Sequence, residues 1–228
     1  MVVFDAWGVG FAFALCWMRE FEREGVKMRR VEFFFDLVSP YSYLAFARVE
    51  RICREAGAEL VLRPMLLGAV HNAAGITAPI EIQSKASYQV RDIHRWAEHY
   101  GLPMQFPDPF PFRTLKTMRA AMACAEKGDL EPFVRGAFAL YWEEGGAPKG
   151  LKEDDENGPI REVARRIGTD PEEVLEKAAA GEAKEALKTA TAEALGRGVF
   201  GAPTFFVGDE MFWGNDRLHF AEAAVKRS

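Results

Sequence analysis

FDLVSPYSYLAF, residues 35–46, decides the fold, because a strand ends and a helix begins inside it. Residues 31–37 are a dense apolar run of aromatic and β-branched side chains closed by Ser-Pro, the pattern of a buried strand. Ser39 then stands where an N-cap belongs, Pro40 takes the first helical position, and Leu44, Ala47, Val49 and Ile52 give an apolar face as far as Gly57. Residues 59–62 read as a second short strand closed by Arg63-Pro64, so the stretch predicts a βαβ unit.

Working outward, residues 68–195 are helical in pattern. Residues 84–100 are amphipathic, 101–112 (GLPMQFPDPFPF) form a proline-rich loop, and 113–127 and 131–142 read as helices. The run KEDDEN at 152–157 is an exposed acidic connection. Asp170-Pro171-Glu172-Glu173 opens a further helix, with carboxylates near its positive end. Strands return at 203–207 and 210–212 around the turn Gly208-Asp209, a hairpin by its turn chemistry, and the last helix is expected over 215–226. No internal repeat is evident.

Composition narrows the classes. Of 228 residues, 49% are hydrophobic and 28% charged, enough for a sizeable core. A net charge of −5 argues against nucleic acid as a partner. Cys16, Cys53 and Cys124 are far apart and fit neither a metal site nor a disulfide framework, which suits a reducing, cytoplasmic compartment. The apolar stretch 2–18 lacks a basic flank and a good cleavage site, carries Asp5 and is short for a bilayer span, so no membrane partner is expected. Residues 1–28 are set apart as a leader or a mis-assigned start, since Met28 opens a run that could itself begin the protein.

Three segments can carry chemistry. Exchanging Ser39 and Ser42 for cysteine would turn Ser-Pro-Tyr-Ser into a thiol-disulfide motif. With serine there is no disulfide, but a hydroxyl among free N–H groups at the positive end of a helix can donate to a ligand's thiolate; the plain alternative is an N-cap and nothing more. In VFGAPTFF (199–206), Pro203 heads a strand, a structural position that also suits a cis X-Pro bond with the backbone of Ala202 open to an extended peptide. In FWGNDR (212–217), Asn215 or Asp216 caps the last helix, or else the carboxylate holds an amino-acid head group.

Together these segments resemble the kappa-class glutathione enzymes of the thioredoxin superfamily, and most specifically the bacterial 2-hydroxychromene-2-carboxylate isomerase family. The carriers are FDLVSPYSYLA, RDIHRWAEHYGLP with the proline-rich loop after it, VFGAPTFF and GDEMFWGNDRL, spread over residues 29–228. The resemblance implies an α/β, thioredoxin-like fold of the DsbA/kappa type with a large all-helical domain inserted between the βαβ and ββα halves. Residues 29–67 and 190–228 would form the thioredoxin-like domain and 68–189 the insertion.

The resemblance also implies glutathione as cofactor, a small aromatic carboxylate as substrate, and a homodimer. Ser39 matches the family's catalytic serine, beside the glutathione sulfur. Ala202 and Pro203 match the place where backbone pairs with the cysteinyl part, and Trp213, Gly214, Asn215 and Asp216 match the grip on the γ-glutamyl end. Asn72 and Phe110 fall near the substrate positions. The family usually offers a lysine in the loop after the second strand, where this chain reads Ala69-Val70-His71-Asn72. His71 is a proton-transfer candidate or simply a surface or core histidine, and Arg91, Arg95 and Arg113 are candidates for a substrate carboxylate or solvated helix arginines.

The expected activity is a glutathione-dependent cis-trans isomerisation of 2-hydroxychromene-2-carboxylate-like aromatic pyruvates, by reversible addition of a thiolate held by Ser39. The rivals are a kappa-type glutathione transferase and a non-catalytic thioredoxin-like binding module. A disulfide oxidoreductase fits least, both active-site sulfurs being absent.

Overall fold

The computed structural model describes residues 29–146 and 157–227. The leader assigned to residues 1–28, Cys16 and most of the acidic connection at 152–157 lie outside them. Strand β1 (Arg30–Phe35) is apolar almost throughout because it is an interior strand covered on both faces. Val31, Phe33 and Phe35 join the larger core, and Phe34 joins a smaller one on the opposite face with Met65, Val70 and Phe206.

Helix α1 (Pro40–Ala56) follows with Ser39 as its N-cap, and it stops at Gly57, whose φ of 62° lies in the left-handed region. Strand β2 (Glu59–Pro64) returns parallel to β1, with Phe33 opposite Leu62. Strand β3 (Thr204–Val207) lies antiparallel on the other side of β1, with Phe33 opposite Phe205, and β4 (Glu210–Trp213) closes the hairpin. The sheet order is therefore β2-β1-β3-β4.

Phe33 stacks on Phe205 at 5.1 Å and on Phe35 at 5.2 Å between ring centroids. Burying rings of this kind stabilises by about 1.5–3 kcal/mol each. A one-residue slip of β1 would exchange these rings for Phe34 and Glu32. Glu32 instead faces the opposite side, where Arg63 and Arg197 donate to it at 2.7 and 2.9 Å.

Between β2 and β3 run α2 (Leu67–Ala74), a 3-10 turn (Pro79–Glu81), α3 (Gln83–Tyr100), α4 (Leu115–Ala125), α5 (Leu130–Trp142), α6 (Gly158–Arg166), α7 (Pro171–Ala179) and α8 (Gly181–Gly196). The helices expected at 84–100, 113–127 and 131–142 are present, with ends moved by no more than two residues. Residue 68 lies inside α2 and residue 190 inside α8, so the chain leaves and rejoins the sheet through continuous helices. The final helix differs from expectation. A 3-10 turn (Asn215–Arg217) precedes α9 (Leu218–Arg227), and its N-cap position is Gly214, which has no side chain, so Asn215 and Asp216 lie inside the turn and do not cap it.

Candidate active site

The turn carrying Ser39 is held from three sides. Asp36, 2% exposed, accepts hydrogen bonds from the Leu67 N–H at 2.8 Å, the Thr114 hydroxyl at 2.8 Å and the Val38 N–H at 3.1 Å. Burial pushes its carboxyl up, and these donors pull in the other direction. The Trp142 indole N–H donates to the Leu37 carbonyl at 2.9 Å. The starts of α2 and α4 and the end of α5 are thus tied to one short turn. Ser39, 4% exposed, accepts from the Ser42 N–H at 3.2 Å and donates to the Ala202 carbonyl at 3.3 Å, a weak contact longer than the usual O–H···O range. Among the described residues the Tyr41 N–H at the same helix mouth has no partner.

Ala202 brings the second segment to Ser39. The Ala202–Pro203 peptide is cis, the Pro203 carbonyl accepts the Gly214 N–H at 2.9 Å, and the Ala202 N–H has no partner among the described residues. The two sequence segments therefore lie side by side. Gly201 allows this approach, because a Cβ there would meet the Trp213 indole nitrogen at 2.6 Å. Gly214, at φ 97°, is likewise a position for glycine. Arg217 donates to both Asp216 oxygens at 2.8 and 2.7 Å. Asn215 is 4% exposed, and its amide nitrogen is buried with no partner among the described residues. An unmet buried donor costs about 1–3 kcal/mol, which an acceptor on a ligand would recover.

These groups open into one cleft of about 1140 Å³. Ser39, Ala202, Pro203, Trp213, Gly214, Asn215 and Asp216 all line it, as do His71 from α2 and Phe110 from the proline-rich loop. Phe110 packs on Phe106 at 5.4 Å and Trp142 at 5.6 Å. Asn72 does not line the cleft; it is exposed on α2, whose turn presents His71 instead. Burial pulls the His71 imidazole below its ordinary value, opposed by nearby Glu81, which favours the neutral ring. Arg91, Arg95 and Arg113 do not line the cleft either.

Comparison with known proteins agrees with this fold. A DSBA-like thioredoxin domain matches residues 30–226. A 2-hydroxychromene-2-carboxylate isomerase of Sphingobium xenophagum is 32% identical over 197 residues, covering 86% of this chain and 97% of that protein. The chain belongs to the 2-hydroxychromene-2-carboxylate isomerase family. A solved structure of such an isomerase matches with a TM-score of 0.78 at 31% identity, over 87% of this chain and 95% of that one. Glutathione S-transferase kappa 1 of Caenorhabditis elegans is 27% identical, over 85% of this chain and 89% of that protein. The relatives are enzymes, and the fold is the DsbA-like thioredoxin fold.

This family member has wall residues that sequence reasoning missed. Lys85, Tyr88 and Asp92 lie on the cleft side of α3, and the Tyr41 hydroxyl donates to Asp92 at 2.8 Å. Burial first, and then Asp92, push the Tyr41 hydroxyl up, so it remains a donor. Spacings of three and four were the available signal, but they mark a helix face without saying what it faces. Cys53 and Cys124 are buried, and burial pushes both thiols up to about 12.

Proposed function

We propose that the protein is a glutathione-dependent cis-trans isomerase of ring-opened 2-hydroxychromene-2-carboxylate and related aromatic pyruvates. The observation that carries this reading is the Ser39 hydroxyl, fixed at the mouth of α1 and turned toward the Ala202 backbone. Three features support a glutathione site: the free Ala202 N–H, the unmet Asn215 amide donor, and the Asp216–Arg217 pair with one charge of each sign. Glutathione, when bound, supplies a thiolate able to add reversibly to the conjugated carbon of the substrate, so that the former double bond can rotate.

Each residue then has a part. The Ser39 hydroxyl exchanges its long bond to the Ala202 carbonyl for one to sulfur, and a hydrogen bond to a charged group contributes about 1.5–3 kcal/mol. The free Tyr41 N–H and the helix end add positive potential at the same point. Ala202 pairs backbone to backbone, Asn215 donates to a carbonyl or carboxylate oxygen, and Asp216 and Arg217 take the ammonium and carboxylate of the γ-glutamyl end. Phe106 and Phe110 supply an apolar wall for the substrate ring. Neutral His71 can accept or return a proton.

The test is to incubate the protein with 2-hydroxychromene-2-carboxylate and follow the trans product by chromatography. Glutathione is expected to be required and to be recovered unchanged, while S-methylglutathione should bind without supporting turnover. Conversion at the same rate without glutathione refutes the reading. A product that retains glutathione would favour a transferase, the activity named for the kappa relatives.

A further inference from the structure

We propose that Lys85 and Tyr88, on the cleft face of α3, form the site for the α-keto carboxylate end of the substrate, an inference that rests on the proposed aromatic pyruvate chemistry. Both residues line the cleft, and their spacing puts them one above the other on the same helical face. Among the described residues neither makes a hydrogen bond or ion pair.

The other charges on the wall are committed or of the wrong sign. Arg217 is bound to both oxygens of Asp216 and is assigned above to the γ-glutamyl end of glutathione, Asp92 accepts the Tyr41 hydroxyl, and Glu81 and Asp216 are themselves acidic. Burial favours the neutral His71 ring. Glu81 stands four residues before Lys85 without forming an ion pair with it. Lys85 is therefore the unpaired permanent cation of the cleft among the described residues. A carboxylate entering a cleft with three acidic wall residues and a largely apolar remainder is favoured by such a partner. Tyr88, one turn further along, offers a hydroxyl for the keto oxygen next to that carboxylate. Lys85 thus takes on α3 the part that Arg91, Arg95 and Arg113, exposed off the wall, do not.

The test is equilibrium binding of benzylidenepyruvate and of its methyl ester, in buffer without glutathione, followed by tryptophan fluorescence, with circular dichroism to show that each variant is folded. Lys85 is exposed, so the acid should bind the wild type about two- to five-fold more tightly than the ester. Lys85→Met should abolish that preference and Lys85→Arg should keep most of it. Tyr88→Phe should weaken acid and ester alike by about three-fold, the keto group being common to both. A Lys85→Met protein that binds the acid as tightly as wild type, or a wild type that does not prefer the acid, overturns the inference. Lys85-dependent acid binding in a protein without glutathione-dependent turnover would sink the proposed function alone. Full turnover with acid binding indifferent to Lys85 would sink this inference alone.

Discussion

Replacing Ser39 with alanine separates the two jobs that the geometry gives its hydroxyl. As an N-cap it accepts the Ser42 N–H at 3.2 Å, and losing a cap costs about 1 kcal/mol. For a chain of this size that is a fall of roughly 2–4 °C in Tm. As a donor to sulfur it should lower the bound thiol's pKa by about one to two units, from an ordinary value of about 8.5. Taking 1.5 units, the thiolate fraction at pH 7 falls from about half to about 3% in the variant. A more basic thiolate is also a better nucleophile, with a Brønsted slope of about 0.4–0.5, which returns roughly five-fold. Ionisation alone therefore accounts for only about a three-fold loss of turnover at pH 7, and by about pH 9.5 the variant should equal or pass the wild type. The assay is kcat from pH 6.5 to 9.5 beside an ultraviolet titration of the bound thiolate. A deficit of the same size at both ends of that range would refute the role of the hydroxyl in ionisation.

Two more perturbations test the surroundings. Gly201→Ala places a methyl group 2.6 Å from the Trp213 indole nitrogen, and Trp213 is exposed enough to move. Denaturation midpoints should change little while the KM for glutathione rises several-fold; an unchanged KM would show that Trp213 is not part of the grip. For Glu32, burial raises the carboxyl pKa, but hydrogen bonds from Arg63 and Arg197 outweigh it and leave the value lowered. Its contribution is present above the unfolded pKa of about 4.3 and is lost as pH falls through the folded value. Urea unfolding should show Glu32→Gln less stable than wild type at pH 7, with the gap closing below about pH 4; a gap independent of pH would count against the pairing.

The strand-turn-helix at the heart of the fold was legible because its signals are local: an aromatic run, Ser-Pro, and an apolar helical face. The hairpin was legible for the same reason, from Gly208-Asp209 between two apolar pairs. Ser39, Ala202 and the 213–216 segment, singled out at element boundaries and by resemblance, line the same cleft. Partners distant along the chain were not legible. Asp36 reads as the polar end of a strand, yet it binds Leu67 and Thr114, 31 and 78 residues away. Asn72 was placed by resemblance and His71 by its chemistry; in α2 neighbouring residues point about 100° apart, and the wall takes only His71. Lys85 and Tyr88 share the composition of any solvated helix face, and only the packing of α3 across the cleft distinguishes them.

The buried state of Cys53 and Cys124 has a practical outcome. With both thiols kept protonated, neither is a ready target for peroxide, alkylating reagents or mixed-disulfide formation. Among the described residues, cysteine oxidation is therefore not a ready route of change, which leaves exposed Met211 as a more accessible sulfur. Preparations handled in air and preparations kept under reductant should therefore carry the same thiol content at Cys53 and Cys124.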